Sequence, residues 1–202
     1  MRQERALRIR AFRKALELGA NERAHECSNF PRWDTDLRNF PRGSCELASN
    51  ALAQYLMDNE SCQPCIIFMH GNGWFHKAEN SNVHAHVIVL LDGEYIDLTL
   101  DQFAEYPEYI PAEPVESGGL IGTLLRGIIK HEGPVKTRKV DLDGMEDLYA
   151  WLRDTTDTVL AADPDWQAWE LSIVEARDAA IKQFPFLAMV HQNGTSVTVK
   201  DK

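Results

Sequence analysis

The chain has 202 residues, of which 44% are hydrophobic and 26% charged, and its formal net charge is −10. This composition is typical of a folded globular protein, and the negative charge argues against nucleic acid or an anionic membrane as the main partner. The sequence has no run of about 18 apolar residues, so it predicts no transmembrane helix. Its charged N-terminal segment predicts a cytoplasmic protein.

Apolar spacing and turn residues predict helices and strands in alternation. The first elements are a helix over 4–20, an irregular stretch over 21–43, a helix from Cys45 to about Asp58, a strand over 65–70, and hairpin strands over 83–91 and 94–99. After them come a proline-rich surface loop over 103–119, a short helix or apolar segment over 120–130, two helices within 143–183, and a last hairpin over 186–200. This order predicts an α+β fold. We expect one domain over 1–202, with its core at about 38–140 and a C-terminal helical part over 141–202.

Cys45 follows a turn of proline and glycine and begins the second predicted helix. The preceding Ser44 is of a type preferred at N-caps. Apolar residues then recur at helical spacing on one face, namely Leu47, Ala48, Ala51, Leu52, Tyr55 and Leu56. Free N–H groups and the positive end of the helix dipole favour a thiolate in the first turn. Because the thiolate is the nucleophilic form of cysteine, Cys45 is the candidate nucleophile.

The predicted hairpin carries two histidines and a carboxylate. If Asp92 and Gly93 form a two-residue turn, the numbers of opposed residues sum to 185, and His86 is then a diagonal neighbour of Asp97. His84 lies one step further from Asp97 on the same face. We therefore interpret His86 as the catalytic base and Asp97 as the residue that orients it, with His84 as the alternative base.

Two segments resemble the motifs of a known family. Phe40-Pro41-Arg42-Gly43-Ser44-Cys45 is similar to the nucleophile motif of a group of bacterial papain-like and transglutaminase-like proteins. Ile96-Asp97-Leu98-Thr99-Leu100-Asp101-Gln102-Phe103 is similar to their second motif, and the resemblance covers about residues 38–104. It implies a helix that bears the cysteine and packs on an antiparallel sheet with the histidine and aspartate. In that family the histidine is often followed by alanine and tryptophan. His84 is followed by Ala85, which matches the alanine, but the tryptophan is absent. The spacing between the histidine and the aspartate matches His86 instead.

The resemblance implies a cysteine hydrolase or acyltransferase that acts on an amide or peptide bond. Such an enzyme would be a peptidase, an amidase, a deamidase or a transglutaminase-like enzyme. Its substrate would be a peptide, a protein or a small amide, and we expect no cofactor. A second hypothesis is a non-catalytic protein-binding or immunity-type module that keeps the fold. Neither hypothesis predicts an oligomeric state.

A zinc-binding protein is the third hypothesis. The chain has four cysteines, Cys27, Cys45, Cys62 and Cys65, which we expect to be reduced. Cys62 and Cys65 form a C-x-x-C that precedes a strand instead of opening a helix, so we expect no redox role. Zinc would need these two cysteines and two of the histidines His70, His76, His84 and His86. No second pair of ligands supports such a site, and we predict no metal.

Several side chains near the motifs are candidates for contacts with a substrate. Gln102 or Asn50 would supply a side-chain donor beside the nucleophile. Trp33, Trp74 and Phe75 either line a substrate groove or pack in the core. The sequence pattern does not decide between these roles.

Overall fold

The computed structural model describes residues 3–22, 31–142 and 144–184, which form seven α-helices and five β-strands. In chain order they are α1 (Gln3–Glu22), α2 (Pro31–Arg38), α3 (Cys45–Asn59), β1 (Cys65–His70), α4 (Gly73–Glu79), β2 (Ala85–Leu91), β3 (Glu94–Asp97), β4 (Ile110–Pro114), α5 (Leu120–Lys130), β5 (Val135–Arg138), α6 (Glu146–Ala162) and α7 (Pro164–Gln183). The predicted α+β class is confirmed. Cys27 and the hairpin predicted over 186–200 lie outside the described residues. None of the described helices is long and apolar enough to cross a membrane.

The strands form one antiparallel sheet in the order β4-β3-β2-β1-β5. Strands β2 and β3 are joined at Asp92 and Gly93, whose φ angles of 52° and 78° are the positive values that a type I′ turn requires. Val89 pairs with Ile96 across the hairpin. The numbers of these partners sum to 185, so the predicted hairpin register is confirmed.

Helix α3 lies against β2 and is buried along the face that the sequence predicts. The buried apolar residues of that face are Leu47, Ala48, Ala51, Leu52, Tyr55 and Leu56. Two tyrosine–carboxylate hydrogen bonds also tie α3 to α6. Tyr55 donates to Asp157 at 2.8 Å, and Tyr149 of α6 donates to Asp58. The helix that bears the cysteine is therefore held along its whole length.

A cluster of buried hydrophobic side chains packs the sheet against α5. Its buried side chains include Ile67, Met69, Ile88, Ile121, Leu124, Leu125 and Ile128. The buried carboxylate of Glu113 on β4 accepts from the backbone N–H groups of Ile121 at 3.0 Å and Gly122 at 2.8 Å. Helix N-termini leave such N–H groups without partners and carry partial positive charge, so Glu113 stabilises the start of α5. A Cβ at Gly119 would lie 2.4 Å from this carboxylate, which favours glycine there.

Two predicted loops contain regular structure. The stretch predicted as irregular over 21–43 contains α2, whose Trp33 and Leu37 are both buried and lie one helical turn apart. The proline-rich surface loop predicted over 103–119 contains β4. Its prolines obscure the strand pattern, but an edge strand tolerates the loss of an N–H group.

Two further elements have no signal in the sequence pattern. In the sequence, Gly73 indicates the end of the preceding strand, but in the structure it begins α4. The side chain of Asn72 accepts from Phe75 N at 3.0 Å and so caps this helix. Strand β5 is short, lies at the sheet edge and is mostly exposed. An edge strand of this kind lacks the alternation of apolar and polar residues on which the strand prediction depends.

The chain divides into two compact units, Met1–Leu160 and Ala161–Lys202. The first contains the whole sheet. In the second, Asp163 caps α7 by accepting from Asp165 N at 2.8 Å, and the rings of Trp166 and Trp169 are 4.8 Å apart. The break between the two predicted C-terminal helices falls at Asp163, as the sequence indicates. The assignment of 1–202 to a single domain stays a prediction.

Candidate active site

Cys45 is the first residue of α3 and follows a tight loop that backbone hydrogen bonds hold in place. Arg42 N donates to Asn39 O at 2.8 Å, and Ala48 N donates to Ser44 O at the same distance. The cysteine itself is half-buried. A thiol in this position is accessible to a reagent or a substrate while its backbone stays fixed.

Ser44 occupies the N-cap position of α3, but its side chain does not cap the helix. The hydroxyl donates instead to the backbone oxygen of Asp36 on α2 at 2.5 Å. Ser44 therefore takes the N-cap position that its residue type favours, without a hydrogen bond between its side chain and the helix. With φ −94° and ψ 6°, Ser44 lies outside the extended region from which capping side chains reach the first helical N–H groups. The bond to Asp36 anchors the cysteine loop, and the first turn of α3 has no cap from Ser44.

Ser49 fixes the helix of the nucleophile against the strand of the histidine. It lies one turn after Cys45, is buried, and donates to the carbonyl oxygen of Val87 at 2.9 Å. Because Val87 directly follows His86 in β2, this bond sets the distance between the start of α3 and the histidine.

His86 and Asp97 form a fully buried pair. Nε2 of His86 lies 2.5 Å from Oδ2 of Asp97, and both side chains have 0% exposure. The other carboxylate oxygen accepts from Thr99 N at 2.9 Å and from the Thr99 hydroxyl at 3.2 Å. The carboxylate is therefore oriented on both sides, and it holds the imidazole in one orientation. The two residues meet as the hairpin register predicts.

Cys45 lies near enough to His86 for its side chain to contribute to the pKa of the imidazole. Burial by itself lowers the pKa of this histidine, but the charge and hydrogen bond of Asp97 and the adjacent Cys45 raise it more, and the net shift is upward from 6.5. Because Nε2 is bonded to Asp97, Nδ1 is the ring nitrogen left for the thiol. The ring centre of Phe103 lies 5.1 Å from that of His86 in an edge-to-face arrangement, and this ring covers another side of the imidazole.

The two candidate amides differ in what they contact. Asn50 donates to Glu46 O at 2.9 Å and accepts from Asp141 N at 3.1 Å. Both ends of its amide are therefore bonded to backbone groups, and neither bond is to His86 or Asp97. Gln102 ends a short 3-10 turn after β3, and its Nε2 lies 3.4 Å from Nδ1 of His86. Of the two, only Gln102 reaches the site.

The alternative base, His84, lies apart from the buried pair. It precedes β2 and is exposed, and its ring lies 4.3 Å from the ring of His76. His76 in turn bonds the carbonyl oxygen of Val83 at 3.0 Å. The histidine that contacts both the carboxylate and the thiol is therefore His86, which is the one that the spacing to Asp97 favours.

Arg13 of α1 supports the site from behind, and the sequence pattern does not reveal this contact. Its guanidinium pairs with Asp101 at 2.7 and 3.0 Å and donates to the carbonyl oxygen of Leu98. The same group lies 4.6 Å from the ring centre of Phe40 and 4.8 Å from that of Tyr109. Arg13 thus joins the cysteine loop to the segment after Asp97. The signal in the sequence is an arginine among the buried positions of an amphipathic helix.

The other motifs stand apart from this cluster. Cys62 and Cys65 form no disulfide, and each thiol donates to a backbone carbonyl oxygen. Within 3–22, 31–142 and 144–184, no three His, Cys, Asp or Glu side chains are placed together to hold a metal ion. Trp33 and Phe75 are buried in the core, whereas Trp74 is 79% exposed. Of these three aromatic residues, Trp74 alone is open to a ligand.

Part of the chain is similar in sequence to curated proteins. Over 113 residues the chain is 42% identical to the uncharacterized protein YuaU of Escherichia coli strain K12, and equally to YuaU of strain UTI89. The match covers 55% of this chain and 48% of each relative, so the chain spans about half the length of the curated relatives it matches. No family model matches the chain. No solved structure matches it.

The site therefore has to be interpreted from its own chemistry. It combines a half-buried thiol at a helix start, a buried imidazole in contact with that thiol, and a buried carboxylate that orients the imidazole. These are the three components of nucleophilic acyl transfer.

Proposed function

We propose that this chain is a cysteine-dependent hydrolase or acyltransferase that acts on an amide or peptide bond through Cys45, His86 and Asp97. The observation that carries the proposal is the buried His86–Asp97 hydrogen bond beside a cysteine at the start of a helix. The order of roles agrees with the papain-like or transglutaminase-like resemblance of the two motifs.

The charge state of His86 favours an active nucleophile. Burial opposes a charged imidazole, but Asp97 and Cys45 outweigh it and raise the pKa of His86, so the ring holds its second proton more strongly than a free imidazole does. An imidazolium beside a cysteine stabilises a thiolate, and the start of α3 adds the positive end of its dipole. A thiolate–imidazolium pair is therefore the attacking form that we propose.

The reaction follows from this pair. The thiolate of Cys45 attacks the carbonyl carbon and forms a C–S bond, while the carbonyl oxygen becomes an oxyanion that N–H groups at the start of α3 stabilise. The tetrahedral intermediate then loses its amine, which takes the proton from His86. Water or a second amine gives that proton back to His86 as it attacks the thioester, and the thiolate leaves. Asp97 holds the ring throughout.

The substrate that we propose is a peptide, a protein or a small amide. The half-buried Cys45 is the member of the triad that a substrate reaches from the solvent side, and the fully buried His86 lies behind it. Cys45, Cys62 and Cys65 form no disulfide, which is typical of a reducing compartment, and we propose the cytoplasm.

An activated ester tests this chemistry without knowledge of the natural substrate. With p-nitrophenyl acetate, Cys45 should form an acetyl thioester and release p-nitrophenolate in a stoichiometric burst. Cys45→Ala should abolish the burst, while the matched control Cys62→Ser should keep it. A burst that persists in Cys45→Ala, or a wild type that shows none, would exclude the proposed nucleophile. The absence of any acylation would favour a non-catalytic protein-binding module.

A further inference from the structure

Gln102 connects three parts of the candidate site through one amide. Its Oε1 accepts from the backbone N–H of Gly43 at 3.0 Å, two residues before Cys45. Its Nε2 donates to the carbonyl oxygen of Thr99 at 2.9 Å and lies 3.4 Å from Nδ1 of His86. Among the described side chains, no other amide contacts both the cysteine loop and the histidine.

The contact with Gly43 holds the nucleophile loop in place. The loop is also held at Ser44, by its bond to Asp36 on α2, and at Phe40, whose ring lies against Arg13 of α1. Gln102 follows β3 by five residues, so its bond to Gly43 links the loop directly to the hairpin that bears His86 and Asp97. A shift of about 1 Å in such a link is enough to impair catalysis.

The contact with His86 concerns the ring nitrogen that Asp97 does not use. The amide nitrogen of Gln102 has two protons, of which one is donated to Thr99 O. The second lies near Nδ1 of His86 and can be donated to that nitrogen only while it carries no proton. In a thiolate–imidazolium pair Nδ1 is protonated, so the bond to Gly43 is the contact through which Gln102 acts on the nucleophile.

We propose that Gln102 is a positioning residue of this site: its bond to Gly43 holds the cysteine loop, and with it Cys45, beside His86. The inference rests on the proposed function. Two substitutions at this position differ in that bond. Glu at position 102 keeps an oxygen for Gly43, whereas Leu loses it.

The test is the pH profile for alkylation of Cys45 by iodoacetamide in the folded protein, followed by peptide mass spectrometry. Gln102→Leu should slow alkylation at pH 7 about fivefold, the worth of one hydrogen bond, and move the midpoint of the profile upward. Gln102→Glu should stay closer to the wild-type rate and midpoint, because its carboxylate oxygen still accepts from Gly43 N. Gln54→Leu is the matched control, since Gln54 lies on α3 and bonds Asp58; its profile should equal that of the wild type.

Thermal unfolding of the same variants distinguishes positioning from mere stabilisation. A Gln102→Leu protein that melts at a lower temperature but keeps the wild-type midpoint would show a structural role only, and the inference would be overturned. The proposed function would survive that result. A wild-type Cys45 that is no more reactive than Cys62 would overturn both the inference and the proposed function.

Discussion

Helix α3 and the β2–β3 hairpin are held together at both ends, and the two ends differ in chemistry. At the end where the hairpin turns, Arg5 of α1 pairs with Glu60 at 2.7 Å and with Asp92 at 2.8 Å. At the opposite end, His86 pairs with Asp97 and contacts Cys45. A guanidinium stays charged at every pH that a protein meets, whereas an imidazole changes its charge. The first end is therefore a clamp, and the second end is able to move protons.

Substitution of the imidazole should have the largest effect. His86→Ala should slow acyl transfer to p-nitrophenyl acetate about 1,000-fold, because the thiol loses its base and the leaving group loses its acid. His84→Ala is the control, and its rate should stay within about threefold of the wild type, since its ring lies against His76. The reverse order of the two rates would make His84 the base and would contradict the assignment from the hairpin register.

Substitution of the guanidinium should change stability and spare the chemistry. Arg5→Leu leaves the carboxylate of Glu60 buried, and Oε1 of Glu60 already has no hydrogen-bond partner. The free energy of unfolding in urea should therefore fall by about 3 kcal/mol. Asp92 is 55% exposed, so Asp92→Asn should cost less than about 1 kcal/mol.

The rate of Cys45 alkylation in the folded fraction distinguishes the two ends. It should be the same in Arg5→Leu as in the wild type. A large loss of reactivity at a denaturant concentration where Arg5→Leu is still folded would show that the two ends are coupled.

Substitution of the orienting carboxylate should separate proton transfer from thiolate formation. Asp97→Asn should slow acyl transfer by about 100-fold, because the amide holds the wrong imidazole tautomer. Alkylation of Cys45 should fall less than about tenfold, since the helix start and the histidine persist. Equal losses in the two assays would mean that Asp97 acts on the thiol and the base together.

The positions of His86 and Asp97 follow from local sequence patterns, whereas the contacts of Arg13 that support them do not. The Asp92-Gly93 turn fixes the hairpin register, and period-2 spacing then places His86 beside Asp97. The contact of Arg13 with Asp101 spans 88 positions in the chain. No periodicity links residues so far apart, and neither charge alone indicates its partner.

The local prediction fails where a tertiary contact competes with it. Ser44 occupies the N-cap position, but its hydroxyl is oriented toward the backbone oxygen of Asp36 and makes no hydrogen bond to the first turn of α3. Strands β4 and β5 lie at the sheet edges, where prolines and charged residues hide the pattern of a strand. The buried centre of the sheet is readable from the sequence because packing on both sides constrains it, and the edges are not.

The smallest effect should appear in the dependence of stability on pH. The folded-state pKa of His86 lies above its unfolded value of 6.5, so the stability that the His86–Asp97 pair contributes is complete below pH 6.5 and is lost as pH rises through the folded-state pKa. The ion pairs of Arg5 contribute no comparable pH dependence in this range, because the guanidinium stays protonated. Chemical unfolding across pH 6–9 should show a decline that His86→Gln removes and Arg5→Leu keeps. A decline that remains in His86→Gln would have another origin.

Differential alkylation of the native protein tests the central claim most directly. Iodoacetamide at pH 7 should modify Cys45 before Cys27, Cys62 and Cys65, and at least about tenfold faster than a thiol without an activating neighbour. Peptide mass spectrometry at successive times would give each rate. If Cys45 reacted only after denaturation, it would be a packed core thiol, and the account of a thiolate–imidazolium site would be contradicted.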